Sequence, residues 1–573
     1  MISTLKQSIR QYKKFSLLSP LLVTGEVVIE MLIPYFVGNL IDQGINRGNM
    51  TLIWRLGGML FGLTLVSLAL GMGASYVSAH AAAGVAANLR HDMFYHTQDY
   101  AFENIDKFSS ASLVTRMTTD VTNVQMSYQM LIRIAVRAPM MLLVSIVMSV
   151  MVSPQLSLVF VVIAPIFAVV LVSIIRAAFP IFPRIFKGYD RLNQVVRENI
   201  RGIREVKTYV QEQSQNLAFN KAAQFIYRLF VKAMKIIALN SLAVMAVLNI
   251  SNLLICWFGA KMVVGGGLQA GQLIAMFSYS NSVLFSLNIL AMISVQMIMA
   301  TSSGKRIAAV IDEQPAIKNP IKPVTTLNNG DILFDHVNFK YRSNGDCQAL
   351  SDINLHIKSG ETIGIVGETG ASKSTLVSLI PRLYDVTTGA VRVAGHNVRS
   401  YDLKTLRDNV AVVLQNNVLF SGTVKSNLRW GNQTATDEEL VAAAKTAHAD
   451  DFIRELPAGY DTPIEQGGNN VSGGQKQRLT IARALLKKPK IIILDDATSA
   501  VDTSTEQAIR VALRRDLPTT TKLIISQRIA SVKDADRIIV MNHGRIEDVG
   551  THQELIERND LYRTINQFQA ESR

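Results

Sequence analysis

Residues Ile363–Leu376 read IGIVGETGASKSTL. An apolar run with the character of a buried strand, Ile363–Val366, enters a glycine-containing loop. The loop ends in Lys373, Ser374 and Thr375, and an apolar helix start follows. Strand, loop and helix in that order form the context of a phosphate-binding loop. Backbone N–H groups of Gly367, Glu368, Thr369, Gly370, Ala371 and Ser372 can point inward at phosphates. Lys373 can reach β- and γ-phosphates, and Ser374 can offer its hydroxyl to Mg²⁺. The helix N-terminus adds partial positive charge. One residue departs from the pattern: Ser372 stands where glycine would precede the lysine. Glycine serves there for close approach and permissive dihedrals, so serine fits only if the local angles allow it. The alternative reading is a plain Gly/Ser-rich strand-to-helix turn.

The chain of 573 residues has room for several domains. Hydrophobic residues make up 49% of it and charged residues 18%, with a mean hydropathy of +0.23. The distribution is uneven: long uncharged runs fill the first half, and the second half is mixed. The net charge of +14 suits a membrane protein with basic cytoplasmic loops better than a nucleic-acid binder, because the charge lies in segments flanking the apolar runs. Cys256 and Cys347 lie far apart, which indicates a reducing compartment and no disulfide framework. The tail carries Lys6, Arg10, Lys13 and Lys14, but no small-residue cleavage site ends the apolar run behind it. That run reads as a retained membrane helix.

A helix spanning ~30 Å of hydrocarbon needs about 20 apolar residues. Six stretches qualify: Phe15–Leu40, Leu56–Tyr76, Ile134–Val152, Leu156–Ile175, Ile236–Val264 and Leu273–Ala300. Ser153-Pro154-Gln155 is the short turn between the third and fourth. The connection after the second holds Arg90, Lys107, Arg116 and Arg133. The one after the fourth holds Arg184, Lys187, Arg191, Arg197, Arg201, Arg204 and Lys207. The alternate connections are short and poor in basic residues, so both termini and both long connections are expected in the cytoplasm. Ala82–Ser109 and Tyr189–Val231 carry apolar residues at helical spacing. The membrane helices should therefore extend into the cytoplasm, closed by short turns near Ala101–Ser112 and Lys207–Gln215.

Glu26 and Glu30 lie inside the first apolar run and share one helix face. An ionisable residue at membrane depth is a functional candidate. The other reading is that they face a water-filled cavity or sit at the cytoplasmic end of a long helix. The last apolar helix holds Met276, Met292, Met297 and Met299 with Ser278, Asn281, Asn288 and Gln296. Methionine is frequent on adaptable binding surfaces, and equally serves ordinary packing. Met292 and Gln296 join Glu26 and Glu30 as candidates for a substrate path.

Composition changes around Lys305–Gly330, where Pro315, Pro320 and Pro323 mark a linker. The expected division is a membrane domain over 1–305, a linker over 306–330 and an α/β domain over 331–573. In the last, short β-rich runs (Ile363–Val366, Val410–Leu414, Ile491–Leu494, Leu523–Ser526, Arg537–Met541) alternate with helical stretches.

The motifs after Asp331 resemble the nucleotide-binding domain of an ATP-binding cassette (ABC) transporter. The decisive one is Val471-Ser472-Gly473-Gly474-Gln475-Lys476-Gln477-Arg478, upstream of Ile491-Ile492-Ile493-Leu494-Asp495-Asp496. Nearly the whole chain resembles an exporter-type half-transporter: six long membrane helices followed by one α/β P-loop ATPase domain. The resemblance implies that Tyr341 stacks on adenine. It implies that Gln415 helps hold Mg²⁺ and contacts the membrane domain, and that Asp495 binds Mg²⁺. Ser499-Ala500-Val501-Asp502 matches the loop that crosses the dimer interface. Ser472, Gly473, Gly474 and Gln475 would face ATP held by the opposite domain of a second half-transporter.

The departures from the family pattern carry further implications. Asp496 stands where the family has a Glu acting as base on the attacking water. It is one methylene shorter, and a misplacement on the scale of 1 Å can cost ~100-fold. Gln527 stands where the family has a His on the γ-phosphate, and its amide cannot carry positive charge. Gln466 stands where Glu is usual. Ser372, Asp496 and Gln527 belong to one phosphate-handling side, while the signature is intact. The resemblance therefore points to the degenerate-site subunit of heterodimeric bacterial multidrug exporters. Such a chain acts in the cytoplasmic membrane with ATP and Mg²⁺, on amphipathic or cationic compounds and without nucleic acid. The alternatives are a homodimeric lipid or peptide exporter, and a non-hydrolytic regulatory subunit that holds ATP as a clamp.

Overall fold

The structure, a computed structural model, describes residues 2–341 and 347–571, apart from the side chains of Phe179, Ala291, Ser294, Val295, Ile298, Met299, Ala570 and Glu571. The chain divides into two compact units. One comprises Met1–Gln98 with Ala111–Glu313, and the other comprises Asp99–Ser110 with Gln314–Arg573.

The first unit is helical. Its long helices are α1 (Lys13–Asn39), α2 (Met50–Gln98), α4 (Val121–Val152), α5 (Pro154–Ala178), α8 (Glu212–Val264) and α9 (Ala270–Ile311). Among the described residues six segments are long and apolar enough to cross a membrane, as the hydropathy anticipates. The 49 residues of α2 and 53 of α8 span roughly 75–80 Å at 1.5 Å per residue, more than twice a hydrocarbon core. Both helices therefore extend well beyond the bilayer. Ser153 alone is extended between α4 and α5, so the turn there is tighter than the three residues expected. Helix α6 (Phe182–Arg201) and the short α7 (Ile203–Thr208) precede α8.

Apolar side chains fill the bundle interior, among them Val23, Val27, Met31, Phe160, Ile255 and Tyr279. Phe61, Leu68 and Val169 stay exposed, as lipid-facing residues do. Polar ties fix helix ends. Asp42 accepts hydrogen bonds from the Gly271 and Gln272 N–H groups at 2.7 and 3.1 Å, which neutralises the positive start of α9. Asp120 accepts from Ser303 at 2.9 Å and from Arg306 Nε at 2.7 Å. Ile307, Ala308 and Val310 beyond them are buried. These contacts carry α9 to Ile311, so the linker expected at 306–330 begins inside a helix.

The second unit has two sheets. An antiparallel one orders β2 (Leu350–Ile357), β1 (Ile332–Phe339), β4 (Thr388–Val393) and β5 (His396–Asn397). The other orders β12 (Arg545–Gly550), β11 (Arg537–Asn542), β3 (Thr362–Gly367), β10 (Thr521–Ile525), β9 (Ile491–Asp495) and β6 (Val410–Val413). Five of its strands are parallel and β12 is antiparallel. A small hairpin pairs β7 (Gly422–Thr423) with β8 (Pro463–Ile464). Strand β9 is buried throughout, as a central parallel strand must be.

The short helix α3 (Phe102–Phe108) belongs to this second unit. The Asn104 side chain donates to Gln314 O at 3.0 Å and accepts from Ala316 N–H at 2.9 Å. Tyr384 OH donates to Asp106 at 2.8 Å, and the Phe102 ring meets Tyr384 edge-on at 5.9 Å. This is the segment expected as a short turn near Ala101–Ser112. The other closing turn falls at 209–211, after α7.

Candidate functional site

A parallel sheet gathers chemistry at the carboxyl ends of its strands, where the chain turns into loops. The phosphate loop follows β3, Gln415 follows β6, Asp495 ends β9 and Gln527 follows β10. Register places Ile525 beside both Asp495 and Ile365. These residues therefore share one edge.

Within the loop, Gly367 has φ 150° and Gly370 φ 89°. A Cβ on Gly367 would lie 2.2 Å from Met541 O, so only glycine fits. Ser372 has φ 69° and ψ 27°. The position does take the left-handed conformation that glycine suits, and serine occupies it at a cost of roughly 1–2 kcal/mol. Lys373 opens α10 (Lys373–Ser378). Its Nζ donates to Gly367 O at 2.8 Å and Glu368 O at 2.9 Å. Burial pulls its ammonium below the ordinary lysine value, opposed by Asp496 and Asp495.

The Ser374 hydroxyl faces the Asp495 carboxylate and favours its charged form. Burial pushes Asp495 above the usual aspartate value. Ser374 opposes that shift, Asp496 adds to it, and Lys373 opposes it. The Gln527 amide donates to Asp496 Oδ2 at 3.2 Å, so two of the departures from the family pattern touch each other. Asp496 has φ 47°, a strained turn out of β9. Gln415 is exposed beyond β6. Tyr341 is half-buried. Its hydroxyl lies 3.0 Å from Thr375 Oγ1, and its ring meets Phe339 and Tyr384 at 4.8 and 5.2 Å.

The signature segment opens α11 (Gly473–Leu485). Ser472 caps the helix: Gln475 N–H donates to its Oγ at 3.2 Å, and Ser472 N–H donates to Gln475 Oε1 at 2.9 Å. The Ser472 hydroxyl proton stays available to an incoming oxygen. A Cβ on Gly474 would lie 2.8 Å from Ala500 O, so glycine is required where the 499–502 loop crosses. Gln477 pins that loop. It donates to Ser499 Oγ at 3.0 Å and accepts from Ala500 N–H at 2.9 Å. Asp502 caps α12 (Thr503–Asp516) by accepting from Thr505 N–H at 2.9 Å. With a further bond from Ser504, this holds its carboxyl far below the usual range. Val501 is buried, while Ser499 and Ala500 are exposed.

In the membrane unit, Arg137 of α4 pairs with Glu26 and, at 2.5 Å, with Glu30. Met276 is fully buried, Met292 is exposed, and the Met299 side chain lies outside the described residues. Among the described residues no hydrogen bond joins Gln296 to the carboxylates. Sequence reasoning missed Arg137, Gln477 and Tyr384. Arg137 lies inside the third apolar run and was open to the argument that singled out Glu26. Gln477 follows the signature but gives no sign of the loop it holds, and nothing marks Tyr384.

Together these features define a P-loop ATPase attached to a six-helix membrane region. The family model described as ABC transporter transmembrane region matches residues 16–287, and the one described as ABC transporter matches residues 350–499. The chain is 34% identical over 560 residues to an uncharacterised ABC transporter ATP-binding protein of Bacillus subtilis, YfiB, covering 97% of each. It is 34% identical over 561 residues to an uncharacterised ABC transporter ATP-binding protein of Mycobacterium tuberculosis, covering 97% of this chain and 96% of that one. A Staphylococcus aureus protein provisionally named for multidrug export, an ATP-binding/permease protein, is 36% identical over 418 residues, covering 70% and 72%. The chain belongs to the ABC transporter family. It is an exporter-type half-transporter, with one membrane region and one ATP-binding domain.

Proposed function

We propose that this chain is the degenerate-site half of a heterodimeric ABC exporter that moves amphipathic or cationic compounds out of the cytoplasm. The observation that carries the reading is the hydrogen bond from Gln527 to Asp496. A neutral amide stands where a cation would meet the γ-phosphate, and it occupies the shortened carboxylate that would orient water. Ser372 adds strain on the same side. The signature, by contrast, is a regular capped helix start with an exposed serine and a closely packed Gly474. It is suited to complete an ATP site on a second chain.

Ser374, Asp495 and Gln415 supply oxygen donors of the kind Mg²⁺ takes, and would hold it. The ion, when bound, offsets phosphate charge. Lys373 and the loop N–H groups hold the β/γ-phosphates, Tyr341 offers a ring face to adenine, and Asp496 lacks the reach to act as an efficient base. ATP closing the two ATPase domains drives the membrane helices between inward- and outward-facing states, through its stronger binding to the closed state. Hydrolysis at the partner's phosphate loop resets them. Exposed Tyr209 and Val210 at the closing turn after α7, and exposed Trp430 stacked on Phe420 at 3.9 Å in the ATPase unit, support a second chain. A cavity of about 360 Å³ lined by Met141, Val244, Asn281, Phe285 and Asn288 supports an amphipathic cargo. The basic connections support an orientation with both termini in the cytoplasm.

The test is ATPase activity of this chain alone and with a second half-transporter. The expected result is activity only in the pair, lost when the partner's catalytic Glu becomes Gln and largely kept in Asp496→Asn. Robust activity of this chain alone would sink the reading in favour of a homodimer.

A further inference from the structure

The backbone that carries Gln527 into the phosphate-handling site is gripped from outside the sheet. Strand β10 ends at Ile525, and Ser526 is still tied to β3, its N–H donating to Ile365 O at 3.3 Å. Gln527 and Arg528, which follow, are exposed, so side-chain packing does not fix them. Ile529 is buried again and opens a 3-10 turn, Ile529–Ser531. The side-chain amide of Gln569 spans the exposed gap. Its Nε2 donates to Gln527 O at 2.7 Å, and its Oε1 accepts from Ile529 N–H at 2.8 Å. Arg528 between them is extended, with φ −97° and ψ 120°. In extended backbone, the C=O of one residue and the N–H of the residue two ahead point the same way. One amide therefore serves both, as a neighbouring strand would.

Gln569 reaches this segment because its helix is docked. In α13 (Asp560–Glu571), Tyr562 is fully buried, and Leu561 and Ile565 pack against a cluster that includes Val366, Ile529 and Val532. Gln569 stands one turn beyond Ile565 on the same face. Val366 directly precedes Gly367 of the phosphate loop, so the seat of α13 and the root of that loop share one patch of core. Other grips on the segment fall to either side of the Gln527 carbonyl. Arg528 N–H donates to Ser526 Oγ at 3.0 Å, Arg510 donates to Ala530 O, and Arg514 donates to Asp534 O at 2.7 Å. Among the described residues, Gln569 is the only side chain that bonds the Gln527 main chain.

We infer that Gln569 is a positioning residue for γ-phosphate recognition at this chain's ATP site. It fixes the main chain of residue 527, and with it the reach of the Gln527 amide, which lies 3.2 Å from Asp496 Oδ2. A primary amide has two N–H donors. With one on Asp496, the other is free for a γ-phosphate oxygen. Without the bracket, the exposed 527–528 segment gains conformational freedom that ATP must remove on binding. ADP has no γ-phosphate and is indifferent to that loss. The inference rests on reading position 527 as the γ-phosphate contact, and adds the residue that holds it there. Docking of α13 thereby becomes a condition for telling ATP from ADP.

The full chain, purified in detergent with Mg²⁺, is titrated with N-methylanthraniloyl forms of ADP and of AMPPNP, a non-hydrolysable ATP analogue. Wild type should favour the triphosphate. Gln527→Ala should lower that preference by about tenfold, the scale of one lost hydrogen bond. Gln569→Ala should lower it by about fivefold, with ADP affinity and melting temperature close to those of wild type. Gln569→Glu keeps the length and the bond from Ile529 N–H but sets a carboxylate oxygen against Gln527 O, and should lower the preference as much. Adding Gln569→Ala to Gln527→Ala should change nothing further, because both act through one contact. Equal weakening of the two nucleotides by Gln569→Ala, an unchanged preference in both Gln569 variants, or additive losses in the double variant overturns the inference and leaves the reading of position 527 standing. An unchanged preference in Gln527→Ala removes that position from the γ-phosphate, and the inference with it.

Discussion

The phosphate-loop face and the signature face of the ATPase domain are built from similar parts and differ in how well those parts fit. At the signature, Ser472 and Gln475 satisfy each other's backbone N–H groups, and Gly474 stands where the neighbouring loop leaves no room for a Cβ. At the phosphate loop, a serine holds a left-handed conformation and a side-chain amide holds the carboxylate that should hold water. In the proposed asymmetric pair each face serves a different ATP, so one face would be kept and the other free to relax. A chain losing activity at random would have no reason to keep one face regular.

The comparison can be broken or sharpened by experiment. The largest effect is expected at the intact face. Gly474→Val should lower ATPase activity of the assembled pair by about 100-fold or more, since the new side chain collides with Ala500 and spoils preorganised donors. A loss no larger than that of Asp496→Asn would erase the difference between the faces. Next comes repair. Asp496→Glu with Gln527→His, in a pair whose other catalytic Glu is Gln, should raise hydrolysis by about 100-fold, the scale of a positioned general base. Steady-state phosphate release measures it.

A smaller effect concerns stability. Burial raises Asp495 above the usual aspartate value, so the folded state binds its proton more tightly than the unfolded chain does. Stability tied to this group is therefore present at low pH and lost as pH rises through the folded value. Asp495→Asn should raise the melting temperature at neutral pH by about 2–4 °C, as ~1 kcal/mol does in a domain of this size. It should weaken Mg²⁺-dependent ATP binding at the same time, and the stabilisation should shrink as pH falls. The smallest effect is at Ser372. Serine to glycine relieves the backbone strain but adds unfolded-state entropy of ~0.4–1 kcal/mol. Unfolding free energies from denaturant titration should change by less than about 1 kcal/mol.

Much of this was readable from the sequence because long periodic or apolar runs announce themselves. The six membrane segments and the five parallel strands fall where hydropathy puts them, since a strand buried on both faces must be apolar throughout. Strands β1, β2, β4 and β12 were not legible. In β1, for example, ILFDHVNF mixes polar and apolar residues because the strand is only partly buried. The order of motifs reveals that a phosphate loop and a signature exist, but not that Gln527 would reach Asp496, which depends on β9 and β10 lying side by side. Arg137 escaped for a similar reason: its partners are more than a hundred residues away, and helix packing alone brings them together.

Helix α3 has a consequence for exchanging parts between relatives. The chain enters the ATPase unit at Asp99, leaves it after Ser110 and returns at Gln314. A chimera cut only at the proline-containing linker would leave Phe102, Asn104 and Asp106 behind with the wrong host. Tyr384 and Ala316 would then meet side chains selected for another surface. A functional graft must carry residues 99–110 together with 314–573, as two inserts that recombine by packing. The heritable module is therefore discontinuous in the gene although it is continuous in space.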